Sequence, residues 1–174
     1  MNDFKFLAFN DLDEFIVPLQ HKSMISLLHS IHREEHCGHC FKSAKFPLSG
    51  GEVESSWPVT QNVFTRKQKA DETRPKCVVD PQRVFEQGVH YIKNPLKNKY
   101  FVDNVGWEVG RVFHYRECPK PFKGDLEVDN TMQRYGEELK QKIEKIKDTI
   151  GLKPASWETV KNVFVLAKQK MMAK

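Results

Sequence analysis

Along the first eighteen residues the pattern runs apolar, acidic, apolar: "FLAFNDLDEFIVP" carries Asp11, Asp13 and Glu14 within four residues, then resumes with Phe15, Ile16 and Val17 before Pro18. Short, nearly continuous apolar runs favour buried strands over helices, so Phe4 to Phe9 and Glu14 to Val17 are predicted as strands. Ser23 then predicts a helix cap. Met24, Leu27, Leu28 and Ile31 follow it at i, i+3, i+4 and i+7, one buried stripe, and the helix is expected to end near His36.

Residues 42 to 75 hold Pro47, Ser49, Gly50, Gly51, Pro58 and Pro75 between few apolar runs, which predicts loop with one short strand at Val59 to Thr65. "KCVVDP" and "GVHYI" read as two strands around a turn at Asp80 and Pro81, and "KYFVDN" and "GRVFHYR" continue a strand-rich middle. At Val128 the period changes. Met132, Tyr135, Leu139, Ile143, Ile146 and Ile150 advance by three or four, the mark of an amphipathic helix stopped by Gly151 and Pro154. A last helix is predicted from Ser156, with Val160, Val163, Phe164 and Ala167 on one face.

Composition adds that the 174 residues, 39% hydrophobic and 29% charged, suit a globular domain of ordinary size. The formal charge of +5 is unevenly placed: residues 1 to 130 carry 18 Lys or Arg against 18 Asp or Glu, and the last 44 carry 10 against 5. A basic tail helix of this kind reads first as a solvated face, and no nucleic-acid partner is expected. No apolar run approaches the roughly 20 residues that cross a bilayer.

Asp11 and Asp13 sit at i and i+2, so in extended chain they project the same way. Two carboxylates so close repel unless a cation stands between them, and hard oxygen donors suit Mg²⁺ or Mn²⁺, which in turn bind diphosphate oxygens. In an open turn the same acids would simply face water. "HCGHC" offers His36, Cys37, His39 and Cys40 as zinc ligands, but without a matching second pair a disulfide or buried thiols after a helix are the better account of the cysteines. A small metal-stapled interaction module, with the basic tail reaching nucleic acid or protein, is the alternative that this cluster supports. His90 and His114 lie in aromatic-flanked strand sequence, Arg116 could grip a phosphate, and Trp107 with Glu108 in "NVGWEVG" could hold a sugar and take a hydroxyl proton.

Three ordered blocks, "FLAFNDLDEFIVP", "KCVVDPQRVFEQGVHYI" and "FHYRECP", make the chain resemble glycosyltransferase family 92 over residues 4 to 120. That group includes galactosyltransferases acting on fucosylated N-glycan cores and plant galactan synthases. The resemblance implies a partial GT-A-like α/β fold, a mixed sheet with flanking helices, over 1 to 125, and a C-terminal helical extension over 126 to 174. It implies inverting transfer from a UDP-sugar, UDP-galactose first, to a glycan acceptor, with Mn²⁺ or Mg²⁺ on Asp11, Asp13 and His114. Glu108 is then the expected base, with Asp103 behind it, and Trp107, Arg116 and His90 are the expected substrate contacts. Golgi membrane or lumen is the implied setting, where disulfides are reasonable. In such folds a nucleotide-binding half precedes the Asp-x-Asp block. This chain is therefore expected to hold the metal and acceptor side only, and not to be active alone.

Overall fold

The computed structural model describes residues 5–48, 58–117 and 124–150. The final helix predicted from Ser156, Cys118 and the first residues of the predicted Phe4 strand lie outside these. By its internal contacts the chain divides into two units, one formed by residues up to 50 with 64–129, the other by 51–63 with 130–174.

The first unit is built on a six-stranded mixed sheet, an α/β arrangement consistent with a partial GT-A-like architecture. Its strands are β1 (Leu7–Ala8), β2 (Glu14–Pro18), β3 (His36–Pro47), β5 (Asp71–Val79), β8 (Phe101–Asn104) and β9 (Gly110–Arg116), in the order β1-β5-β3-β9-β2 with β8 also on β3. β3 is the spine. It runs antiparallel to β5 and parallel to both β8, along its first half, and β9, along its second. β2 closes one edge antiparallel to β9, with Glu14 opposite His114 and Pro18 opposite Gly110. Two small ribbons accompany the sheet: β6 (Val84–Gln87) with β7 (Ile92–Pro95), and β4 (Thr65–Lys67) with β10 (Leu126–Val128).

α1 (Met24–Ile31) forms where its stripe predicts, and Ser23 caps it by accepting the amide N–H of Ser26. Its Leu27 and Leu28 pack on Phe41, Val78, Val105 and Val112. Neighbouring positions on a strand face opposite ways, so Cys40, Cys77 and Val79 point to the other side and meet Ile92 of β7. β7 can come that close to β3 because Gly38 has no side chain. A Cβ there would lie 2.7 Å from both Ile92 Cδ1 and the Val78 carbonyl oxygen.

Several expectations are corrected. The helix ends at Ile31, and "HCGHC" is not its tail but the start of the central strand. Residues 42 to 75 hold more strand than expected, since β3 runs on to Pro47, β4 covers Thr65–Lys67 and β5 starts at Asp71. Val59–Gln61 is a 3₁₀ turn instead of a strand, and "GVHYI" is largely the turn of the β6–β7 ribbon, closed by Gly88 N–H donating to the Tyr91 carbonyl at 2.9 Å. The Phe4 to Phe9 strand shrinks to the exposed edge pair Leu7–Ala8.

In the second unit a 3₁₀ segment, Thr131–Tyr135, leads into α2 (Gly136–Ile150). The Gln61 side-chain amide donates to the Met132 carbonyl at 2.7 Å and ties the Val59–Gln61 turn to that segment.

Candidate metal and substrate site

The acidic stretch that opens the chain sits where β1 gives way to β2. Glu14 begins β2 and is drawn under the preceding turn: its N–H donates to the Asp11 carbonyl at 3.1 Å, and its Oε2 accepts from the Asp11 N–H at 3.1 Å. That carboxylate is only 2% exposed, and it faces Lys76 of β5, itself 1% exposed, with Nζ 2.9 Å from Glu14 Oε2 and 3.1 Å from Asp11 Oδ2. Burial works to lower the Lys76 pKa, but the carboxylates of Glu14 and Asp11 outweigh it and hold the ammonium above the usual lysine range. Lys76 is the residue that sequence reasoning missed. The available signal was a lysine on the inward face of an otherwise apolar strand end, which demands a carboxylate partner.

Asp13 projects to the other neighbour. Its carboxylate, 47% exposed, lies with Oδ2 3.3 Å from His114 Nε2, and the Tyr115 N–H donates to the Asp13 carbonyl at 3.0 Å. The His114 ring is buried, and its Nδ1 points toward Glu14 Oε1 at 3.6 Å without reaching a hydrogen bond. The β2–β9 register, Glu14 opposite His114, thus brings together residues a hundred positions apart.

Asp11, Asp13 and His114 can be tested against a divalent ion. Donors about 2.1 Å from Mg²⁺ in octahedral array stand about 3 Å from their neighbours, and the 3.3 Å between Asp13 Oδ2 and His114 Nε2 is close to that. Carboxylate oxygens with one imidazole suit Mn²⁺. The residues fit. Asp11, 65% exposed, borders an open cleft of ≈ 340 Å³ lined also by Phe9, Asn10, Lys76 and residues 87–89.

The other expected site residues lie elsewhere. Glu108 and Trp107 are in the turn before β9, at the Pro18 end of the β2–β9 ladder, opposite the end that holds His114. There Trp107 is covered by two guanidinium groups, Arg111 at 4.2 Å and Arg66 at 5.3 Å from its ring centre, and the exposed Glu108 carboxylate pairs with Arg111 at 3.4 Å. The structure does not bring these two residues to Asp13. His90 sits in the β6–β7 turn, next in sequence to the cleft wall at 87–89, with its Nδ1 buried and unpaired. Arg116 is exposed at the end of β9, two residues beyond His114. Asp103, the second candidate base, lies on β8 and accepts from His39 Nδ1 at 2.8 Å.

The "HCGHC" cluster divides between the two faces of β3. Cys40 is disulfide-bonded to Cys77, directly opposite on β5, and Cys37 is a free buried thiol in the same apolar cluster. Burial raises the Cys37 pKa, as expected of an inert structural thiol. The histidines take the other face, where burial, with His39 and Arg83 adding to it, holds the His32 pKa down at about 4.

The chain is 27% identical over 151 residues, 85% of its length, to the β-1,4-galactosyltransferase galt-1 of Caenorhabditis elegans. It spans about a third of the length of that curated relative, 34%. The profile of glycosyltransferase family 92 matches residues 1–152, across both units and every site residue described above, and the chain belongs to that family.

Proposed function

We propose that this chain carries the metal-binding side of a glycosyltransferase that moves a hexosyl group, galactose, from UDP-galactose to a glycan acceptor with inversion at the sugar carbon. The supporting observation is the Asp13–His114 pair at 3.3 Å, presented at the sheet end where Asp11 borders a cleft. Asp11, Asp13 and Glu14 offer up to three negative charges against the single ammonium of Lys76, which leaves room for a divalent cation. Mn²⁺ or Mg²⁺ bound there would supply Lewis-acid neutralisation of a departing diphosphate. Lys76 fixes the Asp11 carboxylate, and the His114 ring turns Nε2 toward Asp13 and Nδ1 toward the buried Glu14, so that Nε2 is the nitrogen a metal on Asp13 would meet.

Glu108 is tied to Arg111 at the far end of β9 and is not used in this reading. The Cys40–Cys77 disulfide is supporting evidence for an oxidising compartment on the secretory route, the Golgi among them. Among the described residues no helix is long and apolar enough to cross a membrane.

Calorimetric titration of UDP and UDP-galactose onto the chain, with and without Mn²⁺, tests the reading. Binding that needs Mn²⁺ and is lost in Asp11→Asn is the expected result. A folded chain that binds neither nucleotide in the presence of Mn²⁺ would mean that this segment is not a donor site by itself.

A further inference from the structure

On the face of β3 that meets α1, we infer that His32, His36 and His39 form a second metal site, one for Zn²⁺ or a similar imidazole-preferring divalent transition ion. It is separate from the acidic site on β2 and β9. His32 is the residue that ends α1, with an extended backbone (φ −69°, ψ 135°) that turns its ring off the helix and toward β3. His36 starts β3, and His39 is fully buried three residues further on. The ligating nitrogens of the three rings lie within 4.8 Å of one another.

Two details point to a metal. His39 Nδ1 donates to Asp103 Oδ2 at 2.8 Å, which leaves Nε2 as a bare lone pair aimed at His32 Nδ1, 3.1 Å away. A carboxylate behind one ring nitrogen is the usual support for a metal-binding histidine. In addition, zinc holds nitrogen at about 2.0–2.1 Å in a tetrahedron, which sets adjacent donors about 3.3 Å apart, and the His32–His39 separation already matches. The His36 nitrogen lies within 4.8 Å of the other two, so a shift of at most about 1.5 Å, within reach of side-chain rotation, completes the triangle.

An all-imidazole set disfavours Mg²⁺, Ca²⁺ and Mn²⁺ and suits Zn²⁺, Co²⁺, Ni²⁺ and Cu²⁺. Without metal, Arg83 approaches His32 Nε2 at 3.3 Å, and a hydrogen-bonded chain runs from Arg83 through His32 and His39 to Asp103. A bound ion takes the place of the proton between the two rings. That proton passes to His32 Nε2 as Arg83 withdraws onto Asp80, its partner at 3.2 Å. The ion then clips the end of α1 to β3 and, through Asp103, to β8.

The test is titration of Zn²⁺ onto metal-free chain lacking any polyhistidine tag, against a chromophoric chelator, with Co²⁺ as a spectroscopic probe. About one equivalent is expected to bind with a Kd near or below about 1 μM, a free energy ordinary for three imidazoles. His32→Gln and His36→Gln, both at partly exposed positions, are expected to weaken binding at least about tenfold, and Asp103→Asn about 10- to 100-fold. The affinity is expected to be unchanged in Asp13→Asn. Three results would overturn the site: no binding tighter than about 100 μM, equal affinity in folded His32→Gln and His36→Gln, or a Co²⁺ spectrum dominated by thiolate charge transfer.

Discussion

Glu14 Oε2 and Lys76 Nζ lie 2.9 Å apart with both side chains out of solvent, and this pair joins the edge strand β2 to β5 across the sheet. Removing one member leaves a buried charge without its counterpart, so Lys76→Met is expected to cost about 3–5 kcal/mol. Glu14→Gln should cost less, because Lys76 keeps Asp11 at 3.1 Å. Urea unfolding of both single variants and of the double variant closes a thermodynamic cycle. The double variant is expected to be more stable than Lys76→Met. Strict additivity would show that the two side chains do not act as a pair.

The Cys40–Cys77 bridge closes a loop of sequence separation 37 between the two central strands. Chain-entropy scaling for that length gives about 3–4 kcal/mol of stabilisation through the unfolded state. Reduction is therefore expected to lower the urea midpoint markedly while the far-ultraviolet circular dichroism of the folded chain persists at low denaturant. An unchanged midpoint after complete reduction would refute the estimate.

How much of this was legible in the sequence depends on where each residue's partner lies. α1 was legible because its determinants are local: the Ser23 cap and the Leu27–Leu28 stripe act within one turn. β2 and β9 were legible as apolar strands, and the acids between apolar runs fall, as read, at the turn that leads into β2. β3 was hidden. It is covered on both faces and so shows no alternation, and its polar residues are satisfied by distant partners: His39 by Asp103, Lys42 by Glu72, Lys45 by Asp71. Nothing near "HCGHC" signals that its cysteines and histidines part to opposite faces, because Cys77 and His32 reach it from other elements. Trp107 and Glu108 were read as a pair in a loop, which they are, but the loop lies at the wrong end of the ladder for Asp13.

Asp71 gives the stability a pH dependence of definite sign. Burial alone would raise its pKa, but the Lys45 ammonium and the Thr73 hydroxyl and N–H, the last two at 2.6 and 2.9 Å, outweigh it and hold the carboxyl at about 2. The folded pKa lies below the unfolded one, so the contribution is complete above the ordinary carboxylate range and is lost as pH falls from about 4 toward 2. After allowance for solvent screening this is worth about 1 kcal/mol. Asp71→Asn should lower stability by that amount at pH 7 and by much less at pH 2.5, and equal losses at the two pH values would refute the assignment.

Asp13 and His114 belong to one coordination edge in the proposed site, whereas Asp11 is shared with Lys76. Asp13→Asn is accordingly expected to weaken Mn²⁺ binding at least about tenfold with a stability change within about 1 kcal/mol, since asparagine keeps an oxygen that can accept from the buried His114 ring. Glu14→Gln, which loosens the Asp11 N–H and the Lys76 ammonium that fix Asp11, should weaken binding by about 10- to 100-fold and lower stability as well. Electron paramagnetic resonance of free Mn²⁺ in titrations of the three chains reads the affinity, and denaturant unfolding reads the stability. Loss of metal with stability intact in Asp13→Asn identifies a ligand. Wild-type affinity in that variant would remove Asp13 from the metal site and leave it only as a partner of the buried His114 ring.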